Sequence, residues 1–390
     1  MKTTQKIIRL SLVAAGLLAA GAVSAHDAKV KVGLMLPYSG TYGQLGKDIT
    51  DGFKLAVNEK GGRLGGKEIE YFSVDDESEP AKATDNANKL VLRDKVDVLI
   101  GTVHSGVAMG MIKVAKENNV LTIIPNAGAA AATGPLCAPN VFRTSFTNWQ
   151  PAFPMGKVAF DKGHKRAVTL TWKYAAGEES VGGFKEGFEK AGGKVEKELT
   201  LPFPNVEFQP LLTEIASLKP DAVYVFFSGS GAVKFVKDYA AAGLKDKIPL
   251  YGPGFLTDGL LEAQGEAANG LETTLFYADN LDNARNKSFR EAFKKAYGRD
   301  PDVFAVQGYD TGTLLMSGMD AVNGDVSNKK GLIAAMESAT IDSPRGKFTL
   351  SKAHNPVQDI YLRKAVNGQN QVIGIAAKAL ADPAKGCSMN

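Results

Sequence analysis

The stretch Asp97-Val-Leu-Ile-Gly-Thr-Val-His-Ser105-Gly-Val-Ala-Met-Gly-Met-Ile-Lys-Val-Ala115 sets a strand, a serine and a helix start in succession. The pattern returns at once in Val120-Leu-Thr-Ile-Ile-Pro125-Asn-Ala-Gly128. Each puts a small polar or glycine-bearing turn at the carboxyl end of a buried strand, where open α/β sheets bind their ligands. This predicts a binding cleft with no catalytic group in it.

Working outward, the segment 29–36 begins with period-two alternation and becomes wholly apolar, as a strand entering a parallel core does. Ile49, Phe53, Ala56 and Val57 then mark one face of a helix. The same reasoning predicts strands at 68–74, 97–101, 120–124, 166–172, 194–201, 221–227 and 271–277, with helices at 80–93, 177–191, 206–218 and 232–242. The segment 286–339 is mostly helical in pattern, and three late strands follow at 347–350, 358–366 and 371–377. Strands alternating with helices predict an α/β fold of mainly parallel sheets. The pattern falls into two sets, 28–147 and 148 to about 276, with no Pro-rich tether between them. Two lobes joined by short crossings fit that organisation.

Lys2, Lys6 and Arg9 precede an apolar run from Leu10 to Val23 that ends in Val-Ser-Ala25, the pattern of a signal peptide cleaved after Ala25. The run falls short of the roughly 20 residues of a membrane span, so export to the periplasm as a soluble chain with no membrane insertion of its own is expected. Cleavage leaves 365 of 390 residues, more than one ordinary core holds. Removing three positive charges and no acids lowers the formal charge from +4 to +1. A nearly neutral chain without a basic stripe excludes a nucleic-acid partner. The two cysteines, Cys137 and Cys387, are expected to pair in an oxidising compartment and so to pin the tail to a loop in the first third of the chain.

Enzyme motifs fail on their own rules. Gly229-Ser-Gly231-Ala-Val-Lys234 has lysine where a dinucleotide fingerprint has its third glycine, and Val103-His-Ser-Gly-Val107 lacks the glycine-flanked elbow of a hydrolase. The four histidines, His26, His104, His164 and His354, are scattered, so no metal site is expected. Asp75-Asp76 and Glu178-Glu179 suit strand-end or helix-start charges better than an acid/base couple.

The run Val32-Gly-Leu-Met-Leu-Pro-Tyr-Ser-Gly-Thr-Tyr-Gly-Gln-Leu-Gly46, the Gly62–Gly66 turn, Asp75-Asp76, Ile100-Gly followed by Ser105, Pro125 after a strand and Tyr251-Gly-Pro253 resemble the type I periplasmic solute-binding proteins of branched-chain amino-acid ABC transporters. The likeness covers essentially the whole mature chain. Thr102-Val-His-Ser-Gly-Val, Pro125-Asn-Ala-Gly, Trp172-Lys-Tyr-Ala-Ala-Gly-Glu and Gly252-Pro-Gly-Phe-Leu-Thr-Asp further resemble the branch that captures benzoate and hydroxybenzoates. The resemblance implies two α/β lobes with a three-crossing hinge, closing on a solute like a clamp. Carried onto this chain, it gives lobe one as 28–147 plus 279–356 and lobe two as 148–278 plus 357–390. It also implies a transporter permease as partner, no cofactor and no catalysis.

In amino-acid-binding relatives the position of Ser105 gives its hydroxyl to the ligand carboxylate, work suited to a serine at a helix start. The same serine has a plainer reading as a helix cap. Relatives commonly place a carboxylate for the ligand ammonium two residues after the glycine of a Gly-Pro pair, where this chain has Gly254, and a hydroxyl residue where it has Gly128. Burying an unpaired ammonium costs several kcal/mol, so an aromatic acid is expected in place of a zwitterion. Tyr42, Trp172, Tyr174, Phe226 or Phe227, and Phe255 are expected as aromatic walls, with Leu45, His104, Ser105, Asn126, Ala127, Gly128, Ser228 and Gly254 completing the site. Phe226 and Phe227 are neighbours on a strand and point to opposite faces, so at least one belongs to the core. Two other functions keep the same clamp: capture of a branched-chain amino acid or amide, and presentation of the closed form to a membrane receptor.

Overall fold

The computed structural model describes residues 29–389, so the expected leader 1–25 lies outside the described residues. The first half of the fold is built from β1 (Val30–Leu36), α1 (Gly43–Glu59), β2 (Ile69–Asp75), α2 (Ala83–Asn88), β3 (Val98–Gly101), α3 (Ser105–Glu117), β4 (Leu121–Ile124) and β5 (Val141–Arg143). The second half begins with α4 (Trp149–Asp161), β6 (Arg166–Trp172), α5 (Ala175–Ala191), β7 (Lys194–Leu201), α6 (Gln209–Leu218), β8 (Ala222–Phe226), α7 (Gly229–Ala241), β9 (Leu250–Pro253), α8 (Leu261–Gln264) and β10 (Glu272–Leu275). Three helices, α9 (Ala284–Tyr297), α10 (Val303–Ala321) and α11 (Lys329–Glu337), precede β11 (Thr349–Leu350), β12 (Pro356–Val366) and β13 (Gln369–Leu380).

These strands form two sheets. The five-stranded sheet has the order β2-β1-β3-β4-β5 and is parallel throughout. The eight-stranded sheet has the order β11-β12-β10-β9-β8-β6-β7 with β13 on β12, parallel from β7 to β10 and antiparallel at β12. The central strands β3, β4 and β8 are buried along their whole length, which is why they carry unbroken apolar runs. Two short strands escaped the sequence reading, β5 and β9: β5 has only three residues, and Gly252-Pro253 in β9 reads as a turn. The helix expected at 80–93 is instead a 3-10 turn, the short α2 and a π-helical turn in succession.

The chain visits the two sheets alternately. After β10 it returns to the first, because α10 packs against α1 where Gly52 and Gly308 let the backbones meet. A Cβ on Gly52 would strike the Ala305 carbonyl, and one on Gly308 the Ile49 carbonyl. After α11 it joins the second sheet as β12 and β13. Gln150 ties these crossings together: its amide accepts from Thr147 N–H and donates to the carbonyls of Pro356 and Leu380.

The tail then crosses back once more. Cys137 and Cys387 form a disulfide, and Thr133 Oγ1 donates to Asp382 at 2.9 Å. Asp382 and Cys387 are thus held against the 133–137 segment that follows β4. The disulfide closes a loop spanning 250 residues. Cys387→Ser is expected to lower stability by about 2–4 kcal/mol. Thermal melts with and without reductant check this, since an unchanged melting temperature in both would show that the tether contributes nothing.

Candidate binding site

Every parallel strand ends at the cleft edge of its sheet, so the helices that follow begin there. Three of them, α3, α5 and α7, open onto one cavity between the lobes. Its wall consists of Tyr42, Leu45, Val103, Ser105, Asn126, Gly128, Phe146 and Asn148 from the first lobe and the crossing, of Tyr174, Ala176, Phe226, Ser228 and Phe255 from the second, and of Phe304 on α10. No charged side chain stands in that wall. Two rings frame it closely, Phe146 and Phe255 with centroids 4.7 Å apart.

The polar groups sit at helix starts. Ser105 is fully buried and its Oγ accepts from Asn148 Nδ2 at 3.4 Å, which leaves its own hydrogen free for an acceptor in the cavity. Asn126 donates from Nδ2 to Gln307 Oε1 at 2.7 Å. A Cβ on Gly128 would collide with the Asn148 amide and the Phe146 ring, so the glycine makes room for both. Behind this end lies Arg143, with no solvent exposure. Its guanidinium donates to Ala129 O at 2.8 Å, Ala127 O at 3.3 Å, Thr133 Oγ1 and Asn355 Oδ1, all neutral acceptors. Burial lowers its pKa to about 10, which still leaves it charged at neutral pH.

Closure is made by contacts across the cleft. The Tyr42 and Tyr174 hydroxyls are 2.8 Å apart. Glu179 on α5 accepts from Asn148 Nδ2 at 2.8 Å and from the Ala130 N–H, and burial pushes its carboxyl pKa up. Asp258 accepts from Val303 N–H at 3.3 Å while paired with buried Arg363. Phe203 fills the gap between lobes, with ring centroids 5.0 Å from His104, 5.4 Å from Tyr42 and 5.3 Å from Tyr174.

Of the residues named from sequence, Tyr42, Leu45, Ser105, Asn126, Gly128, Tyr174, Ser228 and Phe255 meet at this cavity. Five stand elsewhere. His104 precedes α3 and caps it, its Nδ1 accepting from Gly106 N–H at 3.0 Å while its ring stacks on Tyr174 at 4.5 Å. Ala127 is buried behind the wall, its N–H donating to Thr102 O. Trp172 lies in the second layer, edge-on to Phe203 and Phe227, with Nε1 donating to Asn205 O. Phe227 faces the core with Phe208 and Phe235, so strand alternation gives the cavity to Phe226. A Cβ on Gly254 would strike Arg363 and Leu275, so in this backbone the position points away from the cavity. Gly254 therefore leaves no gap in the wall where a carboxylate would stand, and what disfavours an ammonium is the uncharged wall itself.

Val103, Phe146, Asn148, Ala176 and Phe304 were missed. Phe304 lies some 200 residues from Ser105 in sequence, and no local pattern joins them. Arg143 did carry a signal, a lone cation ending the apolar strand Val141-Phe142.

Fold and cavity together define a two-lobed solute-binding protein. The chain belongs to the periplasmic binding protein family, whose model matches residues 29–370. It is similar to a solute-binding protein of an ABC transporter from R. palustris solved in complex with benzoate, with 57% identity over 93% of this chain and 100% of that chain and a TM-score of 0.91. It also resembles one from Rhodopseudomonas palustris BisB5 in complex with 3,4-dihydroxybenzoic acid, with 34% identity over 91% and 99% of the two chains and a TM-score of 0.86. Leu/Ile/Val-binding protein homolog 6 of Brucella melitensis is 30% identical over 369 residues, 93% of this chain and 94% of the relative.

Burial lowers the His104 pKa to about 4 from an ordinary value of 6.5. A base depressed on folding stabilises the fold above the unfolded pKa and loses that contribution as pH falls below it. At pH 5 the loss amounts to about 2 kcal/mol. His104→Asn keeps a good capping acceptor without the charge, and denaturant unfolding should show a shallower loss of stability from pH 7 to 5 in that variant. Parallel pH curves for the two proteins would remove His104 as the cause.

Proposed function

We propose that this protein captures an aromatic carboxylate of the benzoate class in the periplasm and delivers it to the permease of an ABC importer, with residues 1–25 as the export signal. The carrying observation is a cavity walled by phenylalanine and tyrosine rings, free of charged side chains, with a serine at a helix start at one end and a buried guanidinium behind it. Helix N-termini favour anions through free N–H groups and the helix dipole. Burying about 150 Å² of ring at about 25 cal/mol/Å² contributes roughly 4 kcal/mol, and each charge-assisted bond to the carboxylate adds about 1.5–3. The neighbours bound to benzoate and 3,4-dihydroxybenzoic acid support the same ligand class. In this reading lobe one comprises 28–147 and 279–356, lobe two comprises 148–278 and 357–380, and the tail rejoins lobe one.

The name of the Brucella relatives favours a second reading, a branched-chain amino acid. The wall offers no carboxylate for its ammonium, and an unpaired buried cation is costly.

Isothermal titration decides between them. Benzoate or 4-hydroxybenzoate is expected to bind at least about 100-fold more tightly than leucine, a difference of about 2.7 kcal/mol. Leucine binding as tightly as the aromatic acids would overturn the ligand class. Ser105→Ala should weaken the aromatic acid by about tenfold with the melting temperature little changed, reflecting one lost bond to a charged oxygen. Unchanged affinity would return Ser105 to a purely structural role.

A further inference from the structure

Ser228 stands immediately before α7, on the second lobe, and lines the cavity with only 5% of its surface exposed. Its Oγ is buried and has no hydrogen-bond partner in the protein. A serine in this place ordinarily accepts from an N–H of the first helical turn. Here the backbone is extended, with φ −149° and ψ 167°, and the hydroxyl makes no such bond. A buried polar group left without a partner is unfavourable until something supplies one.

Ser105, on the first lobe, is its counterpart but differs in surroundings. Its Oγ already accepts from Asn148, and the Arg143 guanidinium lies behind the adjacent 127–129 backbone. The Ser105 end is therefore the one charged for a carboxylate. The Ser228 end has a hydroxyl and a helix start, and the wall around it carries no charge. A neutral group that both donates and accepts matches it, as a phenol does. Phe226, Phe255 and Phe146 give the same cavity its apolar surface.

Resting on the aromatic-acid reading above, we propose that Ser228 and the first turn of α7 are a second polar subsite that selects a ring hydroxyl meta or para to the ligand carboxylate. An ortho hydroxyl would sit beside the carboxylate at the Ser105 end, out of reach of the opposite lobe. Ser228 is thus a specificity-determining residue, and the substrate is a hydroxybenzoate.

The test is isothermal titration of benzoate and of 2-, 3- and 4-hydroxybenzoate into the wild-type protein and Ser228→Ala, with a melting curve to confirm that the variant is folded. The wild type is expected to hold the 3- or 4-isomer about tenfold more tightly than benzoate or the 2-isomer. Ser228→Ala should reduce that preference to about twofold or less, the hydroxybenzoate losing more affinity than benzoate. Wild-type protein that binds benzoate as tightly as every hydroxybenzoate would overturn the proposal. So would an equal loss of benzoate and hydroxybenzoate in the variant, which would place the carboxylate itself at Ser228. Either result leaves the aromatic-acid reading standing, whereas failure of all four acids to bind would remove both.

Discussion

The parallel strands impose one constraint from which the site follows. A helix that continues a parallel strand must start at that strand's carboxyl edge, and both sheets turn this edge toward the cleft. The starts of α3, α5 and α7 therefore meet at a single cavity without any local sequence signal directing them to it. Each start brings unpaired N–H groups and about half a positive charge. An anion can then be held by hydroxyls and backbone, and the wall itself can stay uncharged and largely aromatic.

Arg143 supplies the formal charge at one remove. Ending β5 inside the protein, it holds the carbonyls of Ala127 and Ala129 and so shapes the loop that carries Asn126 and Gly128 while placing a cation behind it. A guanidinium lining the cavity directly would be solvated whenever the lobes part and would attract any small anion. Buried behind neutral carbonyls, it keeps one environment whatever the lobes do. Its balancing acids stand one group further off, Asp382 through Thr133 and Glu179 above Asn148. Glu179 belongs to the second lobe, so closing the cleft brings that acid toward the cation.

The architecture was legible because parallel strands are buried on both faces, and apolar runs such as Val98–Gly101 announce this even when short. Ser105 and Ser228 were legible as well, each standing where a strand gives way to a helix. What failed was direction. Phe226 and Phe227 are equally apolar neighbours, and only the strand's register decides which one faces the cavity. His104 and Ser105 are adjacent too, yet the histidine turns back to cap α3 and the serine faces the ligand space. Gly254 failed for the same reason, since a substitution pattern carries no information on where a Cβ would point. Phe203 and Phe304 come from distant segments and reach the cleft only when the lobes meet, a contact that no window of sequence contains.

The closed arrangement is held by modest terms. Contacts across the cleft include the tyrosine–tyrosine bond, the Ala130 N–H bond to Glu179, the Asp258 bond to Val303 N–H and the aromatic packing around Phe203. Net worth of a neutral hydrogen bond is about 1 kcal/mol and of one to a charged group about 1.5–3, because water competes for the same groups in the open form. The balance then falls to what lies between the lobes: a ring that covers Phe146, Phe226 and Phe255, and polar groups that reach helix starts on both sides. A solute touching only one lobe adds the same energy to the open and closed forms, and shifts nothing. Placing polar groups on opposite lobes, Ser105 on one and Ser228 on the other, makes closure depend on a ligand that engages both.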